Sequence, residues 1–319
     1  MSDFLGIDTS NYTCSLALYN KSEGTMAQNR KVLSVKEGFL GLKQSDAVFQ
    51  HVKLIPEAAN ALMKDRQPYL KAVGVSVRPK DGEDSYMPCF IVGKSVAHAL
   101  ASVSRVPVYE FSHQAGHIAA AVFSSGNPEL IKKEFIAFHV SGGTTETVFV
   151  QPDQEKVMRI KSIGQSLDLK AGQLVDRVGG LLGLKFPAGE ALEKLAGQSS
   201  ASFALSHTTK PVMRGADCSL SGFENKCEKL YKNKISKENI AKFCLEAVAR
   251  TVFEMTAAAM ELHPGLPVLY AGGVLSNSII RAYLGENLER SAEIFFAEPE
   301  YSRDNAAGLA WLAALANAL

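Results

Sequence analysis

Two histidines four residues apart are the first candidates for chemistry in this sequence. His113 and His117 lie in the stretch FSHQAGHIAAA, and Ser112 before them is a good helix N-cap. A helix that begins at His113 places both imidazoles on one face, which is the spacing of two ligands to one metal ion. Two ligands do not make a tight site, so a third carboxylate or imidazole is required. From these residues alone, a helix face with structural histidines remains the alternative.

Two turns of small residues follow apolar strands in the two halves of the chain. The first is DTSN at 8–11 and the second is SGGTT at 141–145. Exposed backbone N–H groups in such turns can hold phosphate oxygens, and Asp8 could hold a metal-bound water. Each turn alone could also be a plain hairpin. Because the two turns occur in duplicated units, they favour a nucleotide-phosphate site.

Two further segments are compatible with a nucleotide. AGGV at 271–274 follows an apolar strand; an isolated Gly-Gly is usually only a tight turn, but beside phosphate turns it fits adenosine binding. Asp168, Gly172 and Asp176 recur every four residues, which predicts that they share one face of a helix with an acid near its N-terminal end. Ribose recognition by Asp176 and a capped helix with surface acids both explain this spacing.

The elements that must position these residues read as an α/β fold. Segments 3–20 and 134–153 each read as strand, turn and strand, while 71–79 and 266–274 read as apolar strands that lead toward helices. Strands that alternate with helices in two rough repeats predict two similar lobes facing a cleft, with a boundary near 124–130. Further helices are predicted at 45–64, 171–183, 188–197 and 238–262.

Composition narrows the classes of protein and partner. The 319 residues are 46% hydrophobic and carry a net charge of +1, so there is no global attraction to nucleic acid or an acidic membrane. The five cysteines show no CxxC spacing, and neither a signal peptide nor a membrane span is evident, which predicts a cytoplasmic protein with reduced thiols. The basic segment 226–239 reads as a solvated helix and loop, with an RNA contact as the alternative.

Seven motifs then occur in one order along nearly the whole chain. They are GIDTS, HQAGH, SGGTT, GQLVDRVGGLLGLKFPAGEALEKLA, SLSGFENK, AGGVLSN and DNAAGLA. Together they resemble the TsaD (Gcp/YgjD-like) family, whose members are similar in fold to actin, hexokinase and Hsp70. The resemblance implies a duplicated two-lobe fold with a central nucleotide cleft. It also implies transfer of a threonylcarbamoyl group from threonylcarbamoyl-AMP to N6 of the adenosine next to the tRNA anticodon.

The resemblance implies a set of site residues and partners. A divalent metal ion, iron or zinc, would be held by His113, His117 and Asp304. An ATP- or AMP-type adenylate would be contacted by Ser141, Gly142, Gly143, Thr144, Gly172, Asp176, Gly189, Gly273 and Asn277. The predicted lobes are 1–125 and 126–301, with the C-terminal helix 302–319 packing back on the first. A pseudo-enzyme partner of the TsaB type, or a homodimer through the N-terminal lobe, is also compatible with it.

The sequence departs from the family at several positions near the expected chemistry. Acids or a histidine are usual at five positions that here carry Tyr12, Thr13, Ala115, Thr144 and Leu169. Gln173 likewise replaces a glutamate, and the segments 36–51 and 78–88 replace family motifs. The metal and nucleotide scaffold is retained while charged groups are lost, which is typical of a diverged paralogue. Asp8 is then the nearest surviving candidate for a general base.

Two functions therefore remain open from the sequence. One is a carbamoyltransferase acting on tRNA or another acceptor, with a metal ion that polarises the transferred carbonyl and turns that hold the leaving adenylate. The other is a non-catalytic nucleotide- and metal-binding scaffold that regulates or pairs with a catalytic relative. The metal ligands favour the first and the missing acids favour the second. A small-metabolite kinase would rest on fold analogy alone, and HQAGH lacks the acid that a zinc protease uses as its base.

Overall fold

The computed structural model describes residues 2–35, 42–82, 85–199, 210–303 and 306–319. The chain divides into two units. The first contains Met1–Lys133, Gln151–Ile160 and Glu300–Leu319, and the second contains Glu134–Val150 and Lys161–Pro299. The 3-10 helix Pro128–Lys132, which follows the predicted lobe boundary, is part of the first unit.

A five-stranded sheet forms the centre of the first unit. Its strands are β1 (Asp3–Thr9), β2 (Thr13–Asn20), β3 (Thr25–Val32), β4 (Leu70–Arg78) and β5 (Val108–Ser112), in the spatial order β3-β2-β1-β4-β5. Strands β1 and β2 are antiparallel, as the hairpin pattern of residues 3–20 predicted, and β3, which the sequence did not predict, pairs antiparallel with β2. Strands β1, β4 and β5 run parallel. The carboxyl ends of these three parallel strands therefore lie side by side at one edge of the sheet.

Three helices of this unit are α1 (Gln44–Met63), α2 (Phe90–Ser104) and α3 (His113–Ser124). Alternation along β1 decides which face each helix covers. Leu5 and Ile7 share a core with α1 and α2, whereas Phe4 packs against the C-terminal helix, Ala307–Ala316. The sequence predicted that this last helix packs on the N-terminal lobe, and the structure places it within the first unit.

Backbone contact holds the C-terminal helix against both the sheet and α3. A side chain at Gly6 would collide with the carbonyl oxygen of Ala306, and one at Gly74 would collide with that of Leu309. Against α3, a side chain at Gly308 would collide with the carbonyl oxygen of Gly116. Since no side chain separates these backbones, the position of α3 depends on the C-terminal helix.

The second unit is built on another five-stranded sheet. Its strands are β6 (Phe135–Val140), β7 (Thr145–Asp153), β8 (Val157–Gln165), β11 (Val268–Ala271) and β12 (Ile294–Phe296), while β9 (Val212–Arg214) and β10 (Asp217–Ser219) form a separate pair. The end of β7 and the start of β8 fall within Gln151–Ile160, which is grouped with the first unit. The spatial order is β12-β11-β6-β7-β8. Strand β6 is antiparallel to β7 and parallel to β11, so the β6–β7 turn lies next to the carboxyl end of β11.

The helices of the second unit are α4 (Ala171–Leu181), α5 (Gly189–Ala196), α6 (Ser221–Lys232), α7 (Lys237–Leu262) and α8 (Ser278–Leu288). They confirm the helices predicted in this half of the chain, with ends that shift by a few residues. The long helix α7 is central, because Phe243 and its apolar neighbours join the same core as Phe138 and Tyr270 of the sheet. The buried hydroxyl of Tyr270 is satisfied by Oγ1 of Thr256 at 2.8 Å. Throughout the described ranges, every helix is too short or too polar to cross a membrane.

We expect Gly308→Ala to destabilise the fold, because the new methyl group would force the C-terminal helix away from α3. Overpacking of this kind lowers the free energy of unfolding by about 1–3 kcal/mol. Urea unfolding followed by circular dichroism measures it. The control is Gly180→Ala in α4, where a methyl group would meet no atom of the described chain within 4 Å, so the helix should be unaffected or slightly more stable. Equal unfolding midpoints for the two variants would contradict the close approach.

Candidate functional site

Three polar side chains meet at the carboxyl edge of the first sheet. Asp8 lies near the end of β1, Ser76 lies near the end of β4, and β5 leads directly into α3 at His113. The Oγ of Ser76 donates to Oδ1 of Asp8, and Nδ1 of His113 lies 3.0 Å from the same oxygen. Parallel pairing of β1, β4 and β5 thus brings together residues that are far apart in the sequence.

The two histidines do more than share a helix face. The Oγ of Ser112 accepts the N–H of Ala115 at 3.1 Å, so α3 begins at His113 as the sequence predicted. The Nε2 atoms of His113 and His117 lie 3.0 Å apart, and the rings meet edge-on with centroids separated by 4.4 Å. The two Nε2 atoms are therefore at hydrogen-bond distance from each other, close enough for both to bind one ion.

Asp8 is completely buried, with 0% of its surface exposed. One carboxylate oxygen is engaged by Ser76 and His113, and Oδ2 has no hydrogen-bond partner among the described residues. A buried anion requires positive charge or donors nearby. This burial argues against the predicted role of Asp8 as a general base that touches the substrate.

The chemistry of this donor set fits a divalent metal ion. Imidazole nitrogens suit both zinc and iron, and the carboxylate behind His113 would complement an ion on the far side of its ring. The third predicted ligand, Asp304, lies outside the described residues and stays a prediction. Within the described part of the chain, no group of three histidine, cysteine or acidic side chains is arranged to hold a metal.

Two buried cysteines, Cys14 and Cys89, lie near enough to Asp8 to respond to its charge. Burial, and then the charge of Asp8, raises the pKa of the Cys14 thiol to about 12. The same two causes raise the pKa of Cys89 to about 11. In the metal-free chain both groups are therefore neutral thiols near pH 7.

In the second unit, the turn Ser141–Thr144 leaves its backbone accessible. Gly142 and Gly143 are exposed, and a methyl group at either position would meet no described atom within 4 Å. The N–H of Ser141 donates to the carbonyl oxygen of Thr144 at 2.8 Å, which closes the turn. A closed turn with bare glycines is suited to a phosphate group that must approach the main chain.

The first turn of α4 packs directly against this turn. A Cβ at Gly172 would lie 2.5 Å from Cα of Gly142 and 2.6 Å from the carbonyl oxygen of Ser141. The N–H of Ala171 donates to Oγ1 of Thr145 at 2.8 Å, which fixes the approach. The partial positive charge of the helix N-terminus is therefore placed beside the candidate phosphate turn.

The glycine segment that follows β11 also packs against the start of the turn Ser141–Thr144. Gly272 has a φ of +106°, and a side chain there would collide with the carbonyl oxygen of Val140, directly before Ser141. At Gly273, the predicted contact residue, a methyl group would meet nothing within 4 Å in the described structure. The Gly-Gly pair signalled this close approach, but only the fold shows that Gly272 makes it.

Asn277 has a structural partner in the next helix. Its Oδ1 accepts the N–H groups of Ile279 and Ile280 at 3.1 and 3.2 Å, so it caps α8. This position follows the Gly272–Gly273 segment, and the cap orients the chain as it leaves the glycine turn.

The prediction that Asp168 shares a helix face with Gly172 and Asp176 is wrong for Asp168. Helix α4 begins at Ala171, and Asp168 precedes it. Its carboxylate accepts the N–H of Leu220 at 2.8 Å and the hydroxyl of Ser221 at 2.6 Å, which anchors the start of α6. A short acid before a helix can bond such orphan donors, and the four-residue spacing in the sequence did not reveal this competing role.

Asp176 and Gly189 are brought together by the loop between α4 and α5. The Oδ1 of Asp176 accepts the N–H of Ala188, the residue before Gly189, at 2.8 Å. The carboxylate therefore anchors this loop, and ribose recognition by Asp176 remains a prediction.

At several positions where the resemblance implies an acid, the residue of this chain is buried or caps a helix. Leu169 is buried in the core of the second unit, and Ala115 and Thr13 are buried in the first. The side chain of Gln173 accepts the N–H of Lys170 at 3.1 Å and so caps α4. Tyr12, in contrast, is 44% exposed.

We expect the purified protein to hold about one zinc or iron ion per chain and the His113→Ala/His117→Ala variant to lose it, because both Nε2 donors are removed. Elemental analysis after gel filtration measures the ion content. His98→Ala is the matched control, since His98 is a half-exposed histidine on α2 that pairs with Glu110. Full metal content in the double variant would show that HQAGH is a structural helix face.

We expect Gly172→Ala to weaken binding of AMP and ATP about tenfold, which corresponds to ~1.4 kcal/mol. The new methyl group would displace the turn Ser141–Thr144, which Gly172 now contacts through its backbone. Titration calorimetry measures the affinity. Gly180→Ala in the same helix should bind like the wild type, and an unchanged affinity for Gly172→Ala would exclude this turn as the phosphate site.

Several solved structures match the fold of nearly all of this chain. HypF from T. kodakarensis matches with a TM-score of 0.61 at 13% identity, covering 99% of this chain and 48% of HypF. Component A of (R)-2-hydroxyglutaryl-CoA dehydratase from Acidaminococcus fermentans matches with a TM-score of 0.55 at 13% identity, covering 100% of both chains. A ROK family glucokinase from Streptomyces griseus matches with a TM-score of 0.55 at 12% identity, covering 98% of this chain and 99% of that one.

At these identities the likeness concerns the fold alone. It confirms the predicted α/β fold of the actin and hexokinase type with two lobes. This chain spans about half the length of HypF. In sequence, the family described as TsaD: tRNA N6-adenosine threonylcarbamoyltransferase matches residues 28–311. Because that match extends over most of the sequence and agrees with the ordered motifs, the chain belongs to the TsaD family.

Proposed function

We propose that this protein transfers a threonylcarbamoyl group from threonylcarbamoyl-AMP to N6 of the adenosine beside the tRNA anticodon. One observation carries the proposal: the Nε2 atoms of His113 and His117 converge to 3.0 Å, and a buried carboxylate lies behind His113. In the metal-free chain this contact is a hydrogen bond between the two imidazoles, and the same two nitrogens would bind the ion. Membership of the TsaD family supports carbamoyl transfer as the reaction class.

His113 and His117 would hold a divalent ion, with Asp304 as the expected third ligand. When bound, the ion supplies Lewis-acid polarisation of the transferred carbonyl group. The backbone N–H groups of the turn Ser141–Thr144 would bind the adenylate phosphate and stabilise it as a leaving group. Two proteins of the same fold support a nucleotide here, since HypF was solved in a phosphate- and nucleotide-bound form and the glucokinase with AMPPNP.

The proposed step exchanges one acyl bond. Nitrogen N6 attacks the carbamoyl carbon, the new C–N bond forms, the C–O bond to the phosphate breaks, and AMP leaves. N6 loses one proton, which passes to the departing phosphate. We exclude Asp8 as the acceptor of this proton, because its carboxylate is completely buried.

The basic segment 226–239 is proposed as an RNA contact. Lys229, Lys232 and Lys234 are exposed around the turn between α6 and α7. Nζ of Lys237 donates to the carbonyl oxygen of Leu182 at 2.8 Å, which ties this turn to the loop that carries Phe186, 83% exposed. Exposed lysines on one loop and an exposed aromatic ring on the loop tied to it suit a phosphate backbone with an unstacked base.

The test is a single-turnover assay with excess full-length protein, threonylcarbamoyl-AMP and unmodified tRNA. We expect modified adenosine in the digested tRNA by mass spectrometry, and a loss of at least about 100-fold in the His113→Ala/His117→Ala variant, as for removed metal ligands or their partners. His98→Ala should retain the wild-type rate. Reversing the charge of Lys229, Lys232 and Lys234 should raise the tRNA concentration needed for half-maximal rate and leave AMP affinity unchanged.

The non-catalytic scaffold is the second candidate, and it is favoured because Leu169 and Thr13 stand where the resemblance implies acids. Binding of metal and nucleotide without any detectable modified adenosine would replace the transferase with this scaffold. Unchanged tRNA dependence in the charge-reversed variant would remove the basic segment from the proposal and leave the transfer itself intact.

A further inference from the structure

We propose that Asp8 and Ser76 are a positioning pair for His113, holding its ring so that Nε2 is the lone-pair nitrogen turned toward His117. The inference rests on the proposed function in one respect, that the two histidines hold a metal ion. It replaces the role of general base that the sequence suggested for Asp8. It also gives a role to Ser76, which lies outside every motif of the sequence.

Hydrogen-bond chemistry defines the tautomer. A carboxylate accepts hydrogen bonds and has no proton to donate, so the 3.0 Å contact between Oδ1 of Asp8 and Nδ1 of His113 requires the proton to be on Nδ1. In a neutral imidazole the other nitrogen then carries the lone pair. That nitrogen is Nε2, which lies 3.0 Å from Nε2 of His117. In the metal-free chain that lone pair accepts the Nε2–H of His117, and a bound metal ion would take the place of this proton.

Ser76 fixes the carboxylate that performs this task. Its side chain is fully buried, and its hydroxyl donates to the same Oδ1 that contacts His113. Both residues lie on paired parallel strands, where Ile7 of β1 is in register with Val75 of β4. A carboxylate held by two donors on a rigid sheet has one preferred orientation, which a loop residue would not provide.

The pairing of β4 with β5 also contributes to the geometry. The register shifts between Ser76 and Arg78, so that Arg78 rather than its neighbour is paired with Ser112. Such an irregularity bends a strand and redirects the side chains beside it. Here the irregularity lies directly after Ser76, which holds Asp8, and directly before Arg78, which pairs with the N-cap residue Ser112 of α3.

The burial of the Asp8 carboxylate explains why a cation near His113 would be favourable. Asp8 is 0% exposed and Oδ2 lacks a hydrogen-bond partner within the described ranges, so the two donors at Oδ1 leave much of its charge unbalanced. A divalent ion bound at Nε2 would balance it through the imidazole ring. Carboxylate, histidine and metal in this order raise the basicity of the ligand and fix its orientation.

The same contacts could also serve only to hold the start of α3 on the edge of the sheet, without any effect on metal binding. The experiment must distinguish this structural role from the positioning role. Three single variants of the full chain make the distinction. Asp8→Asn removes the charge at constant shape, and Ser76→Ala removes one buried hydroxyl. Thr9→Val is the matched control, because the Thr9 hydroxyl is equally buried on the next residue of β1 but bonds Cys89 and Gly93 instead.

The first readout is Co²⁺ affinity, measured by competition with a chromophoric chelator, with the melting temperature of the metal-free protein recorded alongside. We expect Asp8→Asn to weaken Co²⁺ binding about 10- to 100-fold and Ser76→Ala to weaken it about three- to tenfold. Thr9→Val should bind like the wild type. If Asp8→Asn does not fold, Ser76→Ala against Thr9→Val still decides the question.

The second readout is the tautomer of His113 in the metal-free protein, from ¹⁵N chemical shifts of the imidazole. We expect the proton on Nδ1 in the wild type and a mixture of tautomers in Asp8→Asn. A wild-type proton on Nε2, or Co²⁺ affinity unchanged in both Asp8→Asn and Ser76→Ala, would overturn the proposal. Equal weakening in Thr9→Val would show general damage to the strand and overturn it as well. Failed threonylcarbamoyl transfer with these binding and tautomer results intact would count against the proposed function alone.

Discussion

The C-terminal helix lies on the first sheet at backbone contact distance, and the rest of the histidine site depends on this contact. Gly6 and Gly74 have no side chains to separate the helix from the sheet, and the Gly116–Gly308 crossing fixes α3 to the same helix. The imidazoles project from the first and second turns of α3. A shift of α3 by the thickness of one side chain would move His113 away from Asp8, which is fixed in the sheet, and would carry His117 with it.

Both units place their candidate residues at the carboxyl ends of parallel strands. In the first unit β1, β4 and β5 deliver Asp8, Ser76 and His113 to one edge. In the second unit β6 and β11 end beside each other, so the turn after Val140 meets Gly272, and Gly172 of α4 packs against it. Strand ends expose main-chain donors and polar side chains that the sheet interior must exclude, which explains why chemistry concentrates there.

Charge is distributed differently at the two sites. The first site contains a buried carboxylate whose neighbouring thiols, Cys14 and Cys89, remain neutral because burial and Asp8 both raise their pKa. The candidate phosphate turn in the second unit offers main-chain N–H groups and the N-terminus of α4, and Leu169, where the resemblance implies an acid, lies in the apolar core. At two positions where the resemblance implies an acid, Leu169 instead packs in the apolar core and Gln173 caps α4.

The sequence by itself determined most of the helices, the strands β1, β2, β4, β6, β7 and β11, the helix start at His113 and the identity of the glycine turns, because these depend on local periodicity and capping. Only the tertiary structure decided which partners those residues have. Asp8 meets Ser76 across 68 residues and His113 across 105, Asp168 leaves α4 to anchor α6, and Gly272 rather than Gly273 approaches Val140. Such contacts follow from strand pairing and helix crossing between distant segments, and no local spacing in a chain encodes them.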